Sequence, residues 1–236
     1  MDKKIEQMKK NDLFAIILFL HVLIPFFIFQ EVYDFYKDFN AAHPFIMAFI
    51  KFALLATFGE MLGLRIKTGK YNAPGFGLMP RAVVWGFLGM WIALAMGTFK
   101  IGIPGFLNQF SLFEGVKESM YGDFSGLKLC GAFCISVMMN TAFAPVFMTL
   151  HKITDTHILQ NGGKLNALLK PVKIEKIISE INWKVQWGFV FKKTIPLFWI
   201  PAHTITFILP NDFQILFAAF CSIILGLILS IASLKK

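Results

Sequence analysis

Two stretches of the chain, "LFAIILFLHVLIPFFIFQ" at 13–30 and "FQILFAAFCSIILGLILSIAS" at 213–233, contain no lysine, arginine, aspartate or glutamate. About 20 apolar residues are what a helix needs to cross the hydrocarbon core of a bilayer. Lipid offers the backbone no hydrogen-bond partner, so a run of this kind has to fold as a helix. Less pure versions of the pattern recur, and they give expected spans at 13–32, 45–64, 80–99, 127–150, 187–209 and 213–234. The expected fold class is therefore all-α: a polytopic membrane helical bundle of about six transmembrane helices, one domain over 1–236. Composition agrees, because 56% of the 236 residues are hydrophobic and only 16% charged, against about 25% charged in soluble domains.

A net charge of +9 raises the question of nucleic acid, and the placement of the charges answers it. Lys3, Lys4, Lys9 and Lys10 precede the first run, Arg65, Lys67, Lys70 and Arg81 follow the second, and Lys152, Lys164, Lys170, Lys173, Lys176 and Lys184 follow the fourth. The alternate connections are acidic or balanced: "EVYDFYKDFNAAH" after the first run, Glu114, Glu118 and Asp123 beside Lys100, Lys117 and Lys128, and Asp212 alone before the last. This alternation is the positive-inside pattern and puts both termini in the cytoplasm. A nucleic-acid surface would need clustered basic and aromatic residues, so nucleic acid is not an expected partner. "FQEVYDF" after the first run lacks the small residues of a cleavage site, and the first run is expected to stay as an anchor. Lysines without a presequence favour a bacterial plasma membrane.

Two connections have character of their own. Residues 100–126 mix glycine, proline and polar residues, and are expected to form a short interfacial helix or a re-entrant loop. After Pro171, the spacing of Ile174, Ile177, Ile178 and Ile181 predicts an amphipathic helix on the basic inner face, with the lipid bilayer and its anionic lipid as partner. Small residues mark helix-packing faces: Ala218, Ser222, Gly226 and Ser230 at four-residue intervals, Gly89, Ala93 and Gly97 likewise, and Gly59 with Gly63. Such rows let helix axes approach closely, within one bundle or in a homo-oligomer.

Polar residues inside spans are costly and mark either glue or function. Lys51 and Glu60 lie in the second run, nine positions apart and thus on opposite faces. Glu60 has Arg65, Arg81, Lys192 and Lys193 as candidate partners, or else it is a cation or proton site. Asn140, one turn after Ser136 and before Pro145, is near mid-membrane. In "FKKTIPLFWIPAHTITFILP", 191–210, the lysines anchor the inner end by snorkelling, while Pro196 and Pro201 break the helix beside His203 and Thr206. The pathway-lining or binding candidates are thus Lys51, Glu60, Arg81, Asn140, His203 and Thr206. "HKITDTH" at 151–157 matches no metal spacing and reads as a solvated linker. Cys130, Cys134 and Cys221 read as packing residues. There is no nucleophile with a base at recognisable spacing and no phosphate loop, so neither an enzyme nor a cofactor is expected.

The region from Trp199 to Ser230 resembles the family of small helical proteins of peroxisomal and mitochondrial inner membranes that includes the twenty-two-kilodalton peroxisomal membrane protein. The residues carrying the likeness are Trp199, Pro201, His203, Thr206 with Phe207, Pro210, Gln214 and Leu229 with Ser230. Gly59 and Glu60, Arg81 and "NTAFAP" around Asn140 extend it, while the family's tyrosine motif after the third run is absent. The resemblance implies a pore or a modulator of membrane permeability. The function expected is a pore or carrier for small polar solutes; the alternative is a non-transporting organiser that binds lipid or a partner protein.

Overall fold

The computed structural model describes residues 2–234, with side chains described for 10–228 except 22 and 23. Every regular element among the described residues is helical, as the apolar runs require. Contacts divide the chain into two units, one ending at Met47 and one beginning at Ala48. The first holds α1 (Asp2–Leu23), α2 (Pro25–Ile28) and α3 (Gln30–Ala42). Pro25 ends α1, and the extended Phe29 separates α2 from α3, whose aromatic residues stack along one side as Tyr33 on Tyr36 and Phe35 on Phe39.

The second unit is entered along α4 (Pro44–Thr68) and continues with α5 (Leu78–Leu107), α6 (Val116–Ser119), α7 (Gly126–Ala142) and α8 (Ala144–Gln160). Then come α9 (Ile174–Glu180), α10 (Trp183–Val185), a π-helix (Gln186–Trp199), α11 (Ile200–Ile208) and α12 (Asn211–Leu234), with single 3-10 turns at Ser111–Phe113 and Leu165–Leu169. Among the described residues, four helical stretches are long and apolar enough to cross a membrane: Lys10–Ile28, Pro44–Thr68, Leu78–Leu107 and Asn211–Ile228. The pair α7 and α8, bent by 46°, makes a fifth if taken as one span. Leu54, Phe87, Leu94, Phe133, Leu197 and Ile224 are each at least 48% exposed. In water such a surface is a liability, and in lipid it is solvated.

Several expected boundaries move, each for a local reason. The third run does not end at 99; α5 carries on through Gly102 and the buried Pro104 to Leu107, so 100–126 begins as helix and only its remainder forms short turns. The fourth run is two helices, because Pro145 at the start of α8 cannot donate to the turn before it. The fifth is wound as a π-helix up to Trp199 and as α-helix after it. The isoleucines after Pro171 do form a helix, but only seven residues of it. Ile177 and Ile181 are buried in a cluster with Ile153 of α8, while Ile174 is 52% exposed.

Small residues set the helix spacing where expected in part. A Cβ on Gly89 would stand 2.5 Å from Phe52 Cβ, and one on Gly86 would stand 2.4 Å from the Phe49 ring, so α5 and α4 touch there. Gly59 faces Ile223 at 3.0 Å and Gly226 faces the Gly59 carbonyl at 3.6 Å, which joins α4 to α12. Gly63 is buried and Ala93 half-buried. Gly97, expected to continue the row of Gly89, is exposed with open space around it. Ser230 lies outside the described side chains.

Candidate functional site

The helices of the second unit enclose a cavity of about 290 Å³, room for on the order of ten waters at about 30 Å³ each. Phe52, Ala56 and Glu60 of α4 line one wall. Their four-residue spacing keeps them on one face over about 12 Å. Trp85 and Ile92 of α5 and Ala218, Ser222 and Leu225 of α12 line others. The lining ranges from the exposed Lys152 to the partly buried Phe147 and to Asn140, which is 0% exposed.

The Glu60 carboxylate takes three donors. Trp85 Nε1 donates to Oε1 at 2.9 Å, His151 Nε2 lies 3.0 Å from the same oxygen, and the Arg81 guanidinium pairs with Oε2. Arg81 also pairs with Asp155, donates from Nε to the Phe76 carbonyl at 2.6 Å, and lies 4.6 Å from the centre of the Phe76 ring. The guanidinium therefore joins three elements: α4, α8 and the loop before α5. With Trp85 and His151 rings 4.4 Å apart, the network forms one closed layer.

Asn140 Nδ2 lies 2.9 Å from the Ser136 carbonyl and 3.0 Å from His203 Nδ1. Ser136 Oγ donates to the Ile200 carbonyl at 2.7 Å, which also accepts Thr204 Oγ1 at 2.8 Å. Ile200 begins α11 where the π-helix ends, so these hydroxyls bind the backbone at the junction. Trp199 stacks on His203 with ring centres 5.1 Å apart, and its Nε1 is buried without a hydrogen-bond partner.

Of the residues singled out in the sequence, Glu60, Asn140 and His203 line this cavity, and Arg81 stands behind Glu60. Thr206 is fully buried and donates to the Ala202 carbonyl at 2.9 Å, within its own helix. Lys51 is buried away from the cavity, within electrostatic reach of Asp212. It belongs to a second polar layer, in which Lys100 donates to Asn211 and, at 3.3 Å, to Gln214. Ala218 and Ser222, read as packing residues, face the cavity instead.

Sequence reasoning missed Trp85, His151 and Asp155. The last two were placed in a solvated linker, yet α8 extends to Gln160 and turns both toward Arg81 and Glu60. Their spacing of four, one helical turn, was the available signal. Among the described residues, no three His, Cys, Asp or Glu side chains are grouped to hold a metal ion.

The class of protein defined by these features is an all-helical membrane protein, with several helices long and apolar enough to span a bilayer and a cavity between helices of the second unit. The chain matches no protein-family model, no curated protein and no solved structure.

Proposed function

We propose that this chain is a membrane carrier or gated pore for small solutes, with the cavity as its solute chamber. The observation that supports this most is convergence: Glu60, Asn140 and His203, chosen from the sequence as costly intramembrane polar groups, come from three different helices to one cavity. The cavity wall includes the exposed Lys152 as well as the buried Asn140 and Phe52. An open ion pore would need a continuous wet path, and the walls here are mainly aliphatic and aromatic.

The proposed setting is a bacterial plasma membrane with both termini cytoplasmic and six spans, the π-helix and α11 supplying the fifth. Support comes from the alternating lysines and from the apolar length of 187–209. Anionic lipid at the basic face and a homo-oligomer are the proposed partners. The resemblance to the peroxisomal and mitochondrial inner-membrane family is in keeping with a permeability role.

A second reading has its own support. The polar groups lining the cavity are engaged in interhelical bonds, Glu60 to Arg81 and Asn140 to His203, as a non-transporting organiser would use them. Vesicle swelling and planar-bilayer current with the purified protein separate the two. A carrier admits uncharged solutes saturably with no unit conductance in symmetric potassium chloride, and Ser222→Phe, which fills the chamber, stops entry while the protein stays folded. Solute entry equal to that of empty vesicles would leave the organiser.

A further inference from the structure

Resting on the reading of the cavity as a chamber, we infer that it takes a single linear hydrocarbon chain of about ten to twelve carbons, the tail of a small amphiphile or of a bilayer lipid, in place of a hydrated solute.

Volume and length agree on that chain. A dry apolar cavity of about 150 Å³ holds one benzene ring, so the 290 Å³ here hold about twelve carbon atoms. The lining also has a direction. Phe52, Ala56 and Glu60 repeat at every turn of α4 over about 12 Å, and Phe143, Phe147 and His151 do so along α8. Ala218, Ser222 and Leu225 follow a similar spacing on α12. An extended chain advances about 1.2 Å per bond, so about 12 Å is the length of about ten bonds. The same number of carbons packed as a compact cage would leave part of that length empty, whereas a chain fills it.

The wall has the chemistry for such an occupant. Phe52, Ile92, Met139, Phe143, Phe147 and Val190 line the space, and methionines and aromatic rings adapt to apolar shapes. Glu60 has both carboxylate oxygens bound by Trp85, His151 and Arg81. The Asn140 amide nitrogen lies against Ser136 and His203, and Ser222 Oγ reaches the Ala218 carbonyl of its own helix at 3.3 Å. A hydrated solute would give up bonds to water that these engaged groups do not replace. A hydrocarbon chain gives up none.

Within a bilayer the hydrophobic effect does not drive the chain in, because lipid tails are as apolar as the wall. What favours entry is contact. Atoms that line a void lack partners on one side and regain dispersion attraction when it is filled. Such a site selects by shape and length, and both can be measured.

Purified full-length protein in phosphatidylcholine nanodiscs is irradiated with two diazirine photolabels of equal carbon number, one a linear decyl chain and the other the adamantane cage. Amounts are expressed as mole fraction in the lipid, so that partitioning cancels. The linear label is expected to modify peptides containing Met139, Phe143 or Val190 saturably. It should half-saturate at about tenfold lower mole fraction than the cage, the effect of forcing a wrong shape into a packed space. Among linear labels from pentyl to dodecyl, the half-saturating fraction should fall with each added carbon and level off near decyl. Ser222→Phe shortens the space and should move that plateau to a shorter chain, with circular dichroism reporting the fold; if the variant does not fold, the wild-type length series decides alone. Displacement of the label by decanol identifies a free chain, displacement by didecanoyl phosphatidylcholine identifies a lipid tail, and displacement by both means that the site reads the chain and not its carrier.

Equal half-saturation by chain and cage overturns the proposal, as does a half-saturation independent of chain length, or labelling of these peptides that neither competitor reduces or that does not saturate. The chamber's transport role fails separately. Chain selectivity without solute flux would keep the ligand class and remove the carrier, and saturable flux of small solutes without chain selectivity would keep the carrier and remove the chain.

Discussion

Asn140 of α7 and His203 of α11 meet with Nδ2 and Nδ1 3.0 Å apart, both side chains buried, 63 residues apart in the chain. The pair is the lateral bond between those two helices beside the cavity, and Ser136 supports it from the preceding turn. Lipid gives apolar side chains no incentive to associate, so such bonds and close packing hold helices together.

Asn140→Leu is therefore expected to destabilise the protein by about 1–3 kcal/mol, because it strands His203 Nδ1 and frees the Ser136 oxygens from their donor. A double-mutant cycle of Asn140→Ala with His203→Ala should give a coupling of about 0.6 kcal/mol and not above about 1.7. Reversible unfolding in mixed micelles measures both. A coupling of zero would mean that the two groups are satisfied independently.

Arg81 holds two carboxylates, Glu60 and Asp155, at 7% side-chain exposure. Removing a partner from a buried ion network costs more than removing the network, because uncompensated charge is left behind. Arg81→Gln is expected to cost about 3–5 kcal/mol, and Glu60→Gln clearly less, since the amide still accepts from Trp85. The double variant Arg81→Gln with Glu60→Gln should recover part of the Arg81 loss. If it is instead no better than Arg81→Gln alone, Asp155 is the carboxylate that needs the guanidinium.

What the sequence made legible is what lipid imposes on any chain. The apolar runs, the packing glycines Gly59, Gly89 and Gly226, and Arg81 as a partner of Glu60 follow from length, side-chain size and charge. What stayed hidden depended on winding and on helix ends. Pro196 and Pro201 signal a broken helix, but nothing in their spacing says that the backbone widens into a π-helix from Gln186 to Trp199, or that the Ser136 hydroxyl meets the Ile200 carbonyl just after it. His151 and Asp155 were hidden because polarity ended the expected span at 150, whereas α8 continues for ten residues to Gln160. Ala218 and Ser222 show the limit of periodicity: a row of small residues marks a face, and only the fold decides whether it meets a helix or a cavity.

The loop before α5 and the turn after α8 meet where Gly75 and Gly77 face Gly163. Gly77 and Gly163 have φ of +76° and +67°, and a Cβ on Gly163 would stand 2.6 Å from the Gly77 amide nitrogen. Gly163→Ala thus combines left-handed strain of about 1–2 kcal/mol with a clash against backbone, which cannot rotate away. This contact sits next to Phe76, the residue that anchors Arg81. Gly163→Ala is expected to lower the unfolding midpoint, and Gly162→Ala, which has φ of +68° and open space, to lower it less. The difference between the two variants isolates the clash from the strain; equal losses would assign everything to backbone conformation.

The proposed orientation rests on charge and is open to direct test. The 69–77 loop contains Lys70 and is flanked by Arg65, Lys67 and Arg81, and a short loop carrying that excess is retained on the cytoplasmic side during insertion. Residue 72 lies in this loop and is exposed, whereas residue 40 lies near the end of α3, in the acidic stretch between Glu31 and His43. Native Cys130, Cys134 and Cys221 are free thiols and are first replaced by alanine. In intact cells, a membrane-impermeant maleimide should then label a cysteine at Asn40 and leave one at Asn72 unlabelled until the membrane is opened. Because Arg81 of this basic region pairs with Glu60, this result would place the Glu60 network toward the cytoplasmic side. The reverse labelling would place it toward the outside, and would mean that the lysines after α8 serve the fold and not the topology.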